Sequence, residues 1–202
     1  MMTKEELVEQ IILKEWKMFD AVNNVGGRAS CQDDYRTFHI MRRSQFSAWN
    51  KKTLQSYHND LEKAGEDGRN LVSEKYGFMM EYTHPEEYQA IAGMLTPVGP
   101  QKQACIEKIA EIYLEQTEEF MKEYPKFLRR TRPVHADGDP YFTSIETYLK
   151  GELKTYSEET LRSYLEYLHE LRGEGKKIVY MIFENEVRDY GYGSLAEAEK
   201  SM

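Results

Sequence analysis

The sequence predicts an all-α protein, a bundle or array of about eight to nine helices built from two similar halves. Three observations lead there. Apolar residues recur at the helical period of 3.6 nearly everywhere, and no stretch alternates cleanly with strand-type punctuation. Cap residues and prolines mark helix starts at regular intervals. The chain also resembles itself when slid by 107 positions.

Thr3 opens the first helix, with Glu6 three residues on to complete a capping box, and Gly26-Gly27 ends the pattern beyond about Asn23. Further helical stretches read as 35–48, 51–64, 68–82, 85–95, 99–128, 140–151, 157–172 and 174–190. Asn50 and Ser157 are cap residues before Lys51-Lys52-Thr53 and Glu158-Glu159-Thr160. Pro85 and Pro100 suit a first helical position, where the missing N–H costs no hydrogen bond. The one β-competent run, Ile178–Phe183, is followed directly by Glu184, Asn185 and Glu186. The closing stretch, 191–202, reads as a flexible tail.

The slide lays Trp49-Asn50-Lys51-Lys52-Thr53-Leu54-Gln55-Ser56-Tyr57 over Tyr156-Ser157-Glu158-Glu159-Thr160-Leu161-Arg162-Ser163-Tyr164. It goes on to match Leu61 with Leu168, Gly68 with Gly175, Val72 with Val179 and Tyr76 with Phe183. Cap falls on cap, aromatic on aromatic and glycine on glycine. One compact domain over 1–202 is expected, with half one at about 1–98, half two at about 99–190, and a pseudo-two-fold axis between them.

The 202 residues carry 27 Lys+Arg against 35 Asp+Glu, a formal net charge of −8, which argues against nucleic acid as the main partner. Two cysteines are too few for a disulfide framework or a four-cysteine zinc site, and they suit a reducing compartment. The charged start and the short apolar runs predict a soluble, cytoplasmic protein with no membrane partner.

In the first helix Leu7, Val8, Ile11, Ile12, Met18, Phe19 and Val22 form one stripe, and Glu15 falls near its middle. A carboxylate there must be neutral, paired with a cation or bound to a metal. The readings are a buried ion pair with an arginine, a general base facing a cavity, or a side chain reaching water at the stripe's edge. A di-metal carboxylate bundle needs Glu-x-x-His pairs on inward faces. Glu81-x-x-His84 is broken by Pro85, and Glu166 of Glu166-x-x-His169 projects away from its helix's apolar face. No metal site is expected, and no cofactor can be named.

The loop Asn23–Asp34 is the richest polar segment, with Gly26-Gly27 permitting close backbone approach. Arg28 can fork onto a carboxylate or phosphate, Gln32 can donate and accept, and Asp33 and Asp34 can cap a helix or hold Arg28. Cys31 becomes a nucleophile only if a neighbour lowers its pKa. The structural alternative is a loop whose Asp caps a helix and whose Arg pairs with Glu15. A slide of 104 lays Arg28 over Arg132, Cys31 over His135 and Asp33 over Asp137, so the loop 129–140 lies in the corresponding place. If both loops line one cleft, Cys31 and His135 become neighbours, with Arg28, Arg129 and Arg132 supplying positive charge. Fifteen tyrosines, many at helical spacing, read as core edge.

Trp16-x-Met18-Phe19, Gly26-Gly27-Arg28-Ala29-x-Cys31-Gln32-Asp33-Asp34 and Met41-Arg42-x-Ser44-Gln45-Phe46 together resemble the bacterial domain-of-unknown-function family 4125. Met80-Glu81 and Pro85-Glu86-Glu87-Tyr88 resemble it too. The resemblance implies a soluble bacterial protein and carries over no activity, substrate or cofactor.

The function expected is a polar cleft for a small, anionic molecule, formed by the 23–34 loop and the first helix. Glu15, Cys31 and His135 are the candidate catalytic residues. Trp16, Asn23, Arg28, Gln32, Asp33, Asp34 and Arg132 are the candidate ligand-binding set. The sequence does not decide whether the protein is an enzyme. The alternative is a helical interaction or regulatory module, in which Trp49, Tyr57 and the Tyr-rich second half present an aromatic groove.

Overall fold

A computed structural model describes residues 2–23, 26–128, 131–135 and 143–202. Among them the chain is all-helical: α1 Lys4–Asp20, α2 Tyr35–Ser47, α3 Lys51–Glu66, α4 Leu71–Thr83, α5 Pro85–Ile91, α6 Pro100–Glu123, α7 Pro125–Leu128, α8 Ile145–Leu153, α9 Glu158–Gly173, α10 Ile178–Asp189 and α11 Leu195–Ser201. Two 3-10 turns, Ser30–Asp33 and Ala92–Met94, lie in the connections. No helix among the described residues is long and apolar enough to cross a membrane.

The helix starts follow local chemistry. Thr3 and Glu6 form the capping box. Asp34, Asn50, Asn70, Ser144, Ser157 and Ser194 each accept from a backbone amide of the first turn they precede. Pro85 and Pro100 stand at the first helical positions. The two helices beyond the expected nine have clear causes. Pro125 interrupts the long run after Glu123, since its ring and missing N–H cannot continue a helix. The expected flexible tail instead carries α11, capped by Ser194 and anchored by the buried Leu195 and Ala198.

The central contact is α3 against α9. Small hydroxylated residues let the two backbones approach: Thr53 Oγ1 meets Ser163 Oγ at 3.0 Å, and Ser56 Oγ meets Thr160 Oγ1 at 2.7 Å. Around them the rings of Trp49 and Tyr164 have centroids 4.6 Å apart, and those of Tyr57 and Tyr156 are likewise 4.6 Å apart. Around this contact α1 packs on α2, α3 and α4, α6 packs on α8, α9 and α10, α2 packs on α10, and α4 packs on α8.

Lys4 Nζ donates to the Ser47 carbonyl at 2.7 Å, and Lys102 Nζ to the Lys154 carbonyl at 2.7 Å. Gly68 and Gly175 both take φ of +68°, which glycine adopts without a Cβ penalty. Each lets the amide after it return to the helix, Arg69 N to Ala64 O and Lys176 N to Leu171 O.

Candidate functional site

Glu15 lies in the apolar stripe of α1 and is 3% exposed. Its partner is Arg42 of α2, not Arg28. Arg42 Nε donates to Glu15 Oε2 at 2.6 Å and Nη2 to Oε1 at 2.5 Å, a bidentate fork. The other edge of the guanidinium serves Glu152 of α8, at 3.1 and 3.2 Å, and Gln45 Oε1 at 2.9 Å. Lys75 Nζ of α4 donates to Glu152 Oε2 at 2.6 Å, and Gln45 Nε2 to Glu152 Oε1 at 3.0 Å. Two tyrosines close the network, Tyr57 hydroxyl on Glu15 at 2.6 Å and Tyr156 hydroxyl on Glu152 at 2.7 Å.

Two carboxylates thus face two cations, and the cluster is formally neutral. Burial alone would raise the Glu152 carboxyl, but the charges of Arg42 and Lys75 outweigh it and hold its pKa well below the usual carboxylate range. Burial, with the neighbouring carboxylates, keeps the Tyr57 and Tyr156 phenols protonated far above their usual range. Glu15 is engaged on both oxygens, so it has no lone proton-accepting face turned to a substrate.

The 23–34 loop closes the end of α1. A helix leaves its last carbonyls without intrahelical partners. Gln32, 1% exposed, donates through Nε2 to the carbonyls of Phe19 at 2.9 Å and Val22 at 3.0 Å, while its Oε1 accepts from Ala29 N. Arg28 reaches Asp20 Oδ1 at 2.6 Å, Asp33 Oδ1 at 2.8 Å and the Gln32 carbonyl at 2.7 Å, a cation placed where the helix dipole favours one. Asp34 caps α2 by accepting from Thr37 N. Trp16 packs against Tyr35 and Phe38, with centroids 5.1 Å away in both cases. Asn23 is exposed. The polar density of this loop is therefore explained by contacts within the protein, with Gly27 at φ +86° making the turn.

The candidate catalytic residues do not assemble. Glu15 is inside, Cys31 is exposed on the 3-10 turn, and His135 is held between Glu146 at 2.7 Å and Glu118 at 3.0 Å. Hydrogen bonds to Glu146 and then Glu118 raise the His135 pKa above its usual value. His135 makes no hydrogen bond to Cys31. Arg129 and Asp137 lie outside the described residues.

Arg132, from the second connecting segment, lies at a different feature, a tyrosine pair at the junction of α4 and α8. Tyr76 and Tyr148 share a hydrogen bond of 3.0 Å between their hydroxyls. Lys75 Nζ lies 4.0 Å from the Tyr148 ring centroid, and the exposed Arg132 guanidinium carbon lies 5.0 Å from the same centroid. The Tyr76 phenol is raised chiefly by burial and by Tyr148. Among the described residues Arg132 makes no ion pair or hydrogen bond.

Sequence reasoning missed Arg42, Lys75, Glu152 and Gln45. Arg42 shares α2 with the buried Ile40, Ser44 and Phe46, and Glu152 shares α8 with the buried Thr147, Gly151 and Leu153. The inward position of Glu15 signalled that such partners must exist, and Arg42 and Gln45 stand in the Met41–Phe46 stretch that carries the family resemblance. Of the aromatics expected to line an interaction groove, Trp49, Tyr57, Tyr156 and Tyr164 are buried.

The family model described as "Protein of unknown function (DUF4125)" matches residues 5–200. No curated protein and no solved structure matches the chain.

Proposed function

The chain belongs to the DUF4125 family, and we propose that it binds a small carboxylate or phosphate at Arg132, beside the Tyr76–Tyr148 pair. The observation that carries this reading is Arg132. Its guanidinium sits over a tyrosine ring, is exposed, and has no anionic partner among the described residues. Arg28, the other arginine expected to bind, is neutralised by Asp20 and Asp33. An exposed guanidinium over a ring has N–H groups left for bidentate binding of an oxyanion. Binding rather than catalysis is proposed, because Glu15, Cys31 and His135 form no nucleophile–base pair.

We infer also that the fold consists of two halves, about 1–98 and 99–190, related by an approximate two-fold axis. Reciprocal contacts support it. Thr53–Ser163 becomes Thr160–Ser56 under the shift of 107, and Trp49–Tyr164 becomes Tyr156–Tyr57. Gln45 and Glu152 are equivalent under that shift and bond to one another, so the polar network would sit on the axis. Two unpaired thiols suit action in the reducing cytoplasm.

Isothermal titration with inorganic phosphate and with succinate tests the binding. The expected result is saturable binding to the wild type, weakened about tenfold or more by Arg132→Ala, which removes about 1.4 kcal/mol or more. Arg28→Ala is expected to bind as the wild type does. Equal binding by wild type and Arg132→Ala, or no binding to either, overturns the proposal.

A further inference from the structure

A second site lies apart from the tyrosine pair, where the connection between α5 and α6 folds back over α4 and the end of α8. A cavity of about 250 Å³ opens there, lined on its apolar side by Phe78, Leu95 and Val98 and on its polar side by Glu81, Gln103 and Lys154. It shares no residue with the Arg132 site. Lys154 is the unusual member. Its side chain is only 7% exposed, and it forms part of the wall of the cavity. A buried ammonium needs anionic or polar partners on its three N–H bonds. The Lys154 ammonium has one, the Glu81 carboxylate, and the rings of Phe78 and Tyr82 stand 5.6 and 5.3 Å away. Glu81 is far more open, with its side chain 41% exposed.

The cavity therefore holds a recessed cation beside a carboxylate at its rim, with apolar side chains in the same lining. That pattern matches a molecule carrying both charged groups on one carbon and an apolar body. We propose that the cavity takes a small zwitterion of the α-amino acid class. Its carboxylate accepts from Lys154 Nζ, its ammonium donates to Glu81, and its side chain lies against Phe78, Leu95 and Val98. A simple anion would meet the repulsion of Glu81, and a simple cation that of Lys154. Charge complementarity in this form gives specificity because each half-ligand leaves one buried or semi-buried charge opposed. The volume accommodates an amino acid of moderate size, below that of a typical drug-sized pocket.

Three probes of one shape separate the possibilities: L-leucine, 4-methylpentanoate, which lacks the ammonium, and 3-methylbutylamine, which lacks the carboxylate. Binding to the full chain is followed by backbone amide shifts at Glu81, Gln103 and Lys154. L-leucine is expected to bind at least tenfold more tightly than either half-ligand. Glu81→Gln is expected to abolish the preference for L-leucine over 4-methylpentanoate while leaving the chain folded, since Glu81 is at the surface and the glutamine Oε1 can still accept from Lys154. Val98→Trp, which fills the cavity without touching either charge, is expected to remove binding of all three. Equal affinity for the half-ligands, or no shifts with L-leucine at about 10 mM, or unchanged binding in Val98→Trp, overturns the proposal.

Discussion

Replacing Arg42 by Met removes the one side chain that joins both carboxylates of the central network. Its stem is conserved in volume, but four N–H···O contacts to Glu15 and Glu152 and one to Gln45 vanish together. Glu15 keeps only the Tyr57 hydroxyl, and Glu152 keeps Lys75, Gln45 and Tyr156. Breaking a buried pair by deleting one partner costs about 3–5 kcal/mol, because the other charge stays desolvated. A domain of this kind is stable by about 5–15 kcal/mol in total, so near the middle of both ranges Arg42→Met should lose about 4 of about 10 kcal/mol and still fold.

Urea unfolding followed by circular dichroism measures the loss, and a double-mutant cycle with Glu15→Gln isolates the pair. The double variant should be more stable than Arg42→Met alone, because no uncompensated carboxylate remains on α1. The acid limb should move too. Glu152 is held below its ordinary pKa of 4.5, so its contribution is present above that value and is lost as pH falls below it. Without Arg42 the folded pKa rises, and that contribution shrinks at every pH above the limb. A cost below about 1 kcal/mol, or strictly additive single variants, refutes the reasoning.

Three further outcomes are expected. Gly68→Ala and Gly175→Ala each force an L residue to φ of +68° with open space around the new Cβ, so each should cost about 1–2 kcal/mol in thermal unfolding, and by similar amounts. Burial pushes Glu186 up from its ordinary 4.5 to about 7. The folded state then binds its proton more tightly than the unfolded state, so stability falls as pH rises from about 4.5 to 7, by about 3 kcal/mol at the limit. Glu186→Gln should abolish that decline in urea titrations run from pH 4 to pH 8. Gln32→Ala strips two carbonyls at the end of α1 of their buried donor and should cost about 1–3 kcal/mol, with faster amide exchange in the last turn of α1.

Much of the fold is legible because caps and period are local. Thr3, Asn50 and Ser157 act on amides three residues away, and Pro85 and Pro100 act at their own positions. The end of α6 is harder to read, since the apolar pattern continues past Glu123 and only Pro125 breaks it. The tail misleads for a different reason: Leu195 and Ala198 make a short helix whose stability comes from docking, and docking is tertiary. Site residues divide in the same way. The inward position of Glu15 is legible from its own helix. Its partner is not, because Arg42 lies 27 residues on and Glu152 lies 110 from Arg42. The polar 23–34 loop has the composition of a ligand loop and the geometry of a helix cap. Sequence cannot separate the two, since capping and anion binding use the same donors.

The Nε–Hε resonances of the arginine side chains, followed by nuclear magnetic resonance as inorganic phosphate is added, test the central claim most directly. Arg132 should shift with saturation, while Arg28, held by Asp20 and Asp33, and Arg42, held by Glu15 and Glu152, stay in place. Movement of Arg28 with Arg132 unmoved would return the site to the first loop and contradict the account.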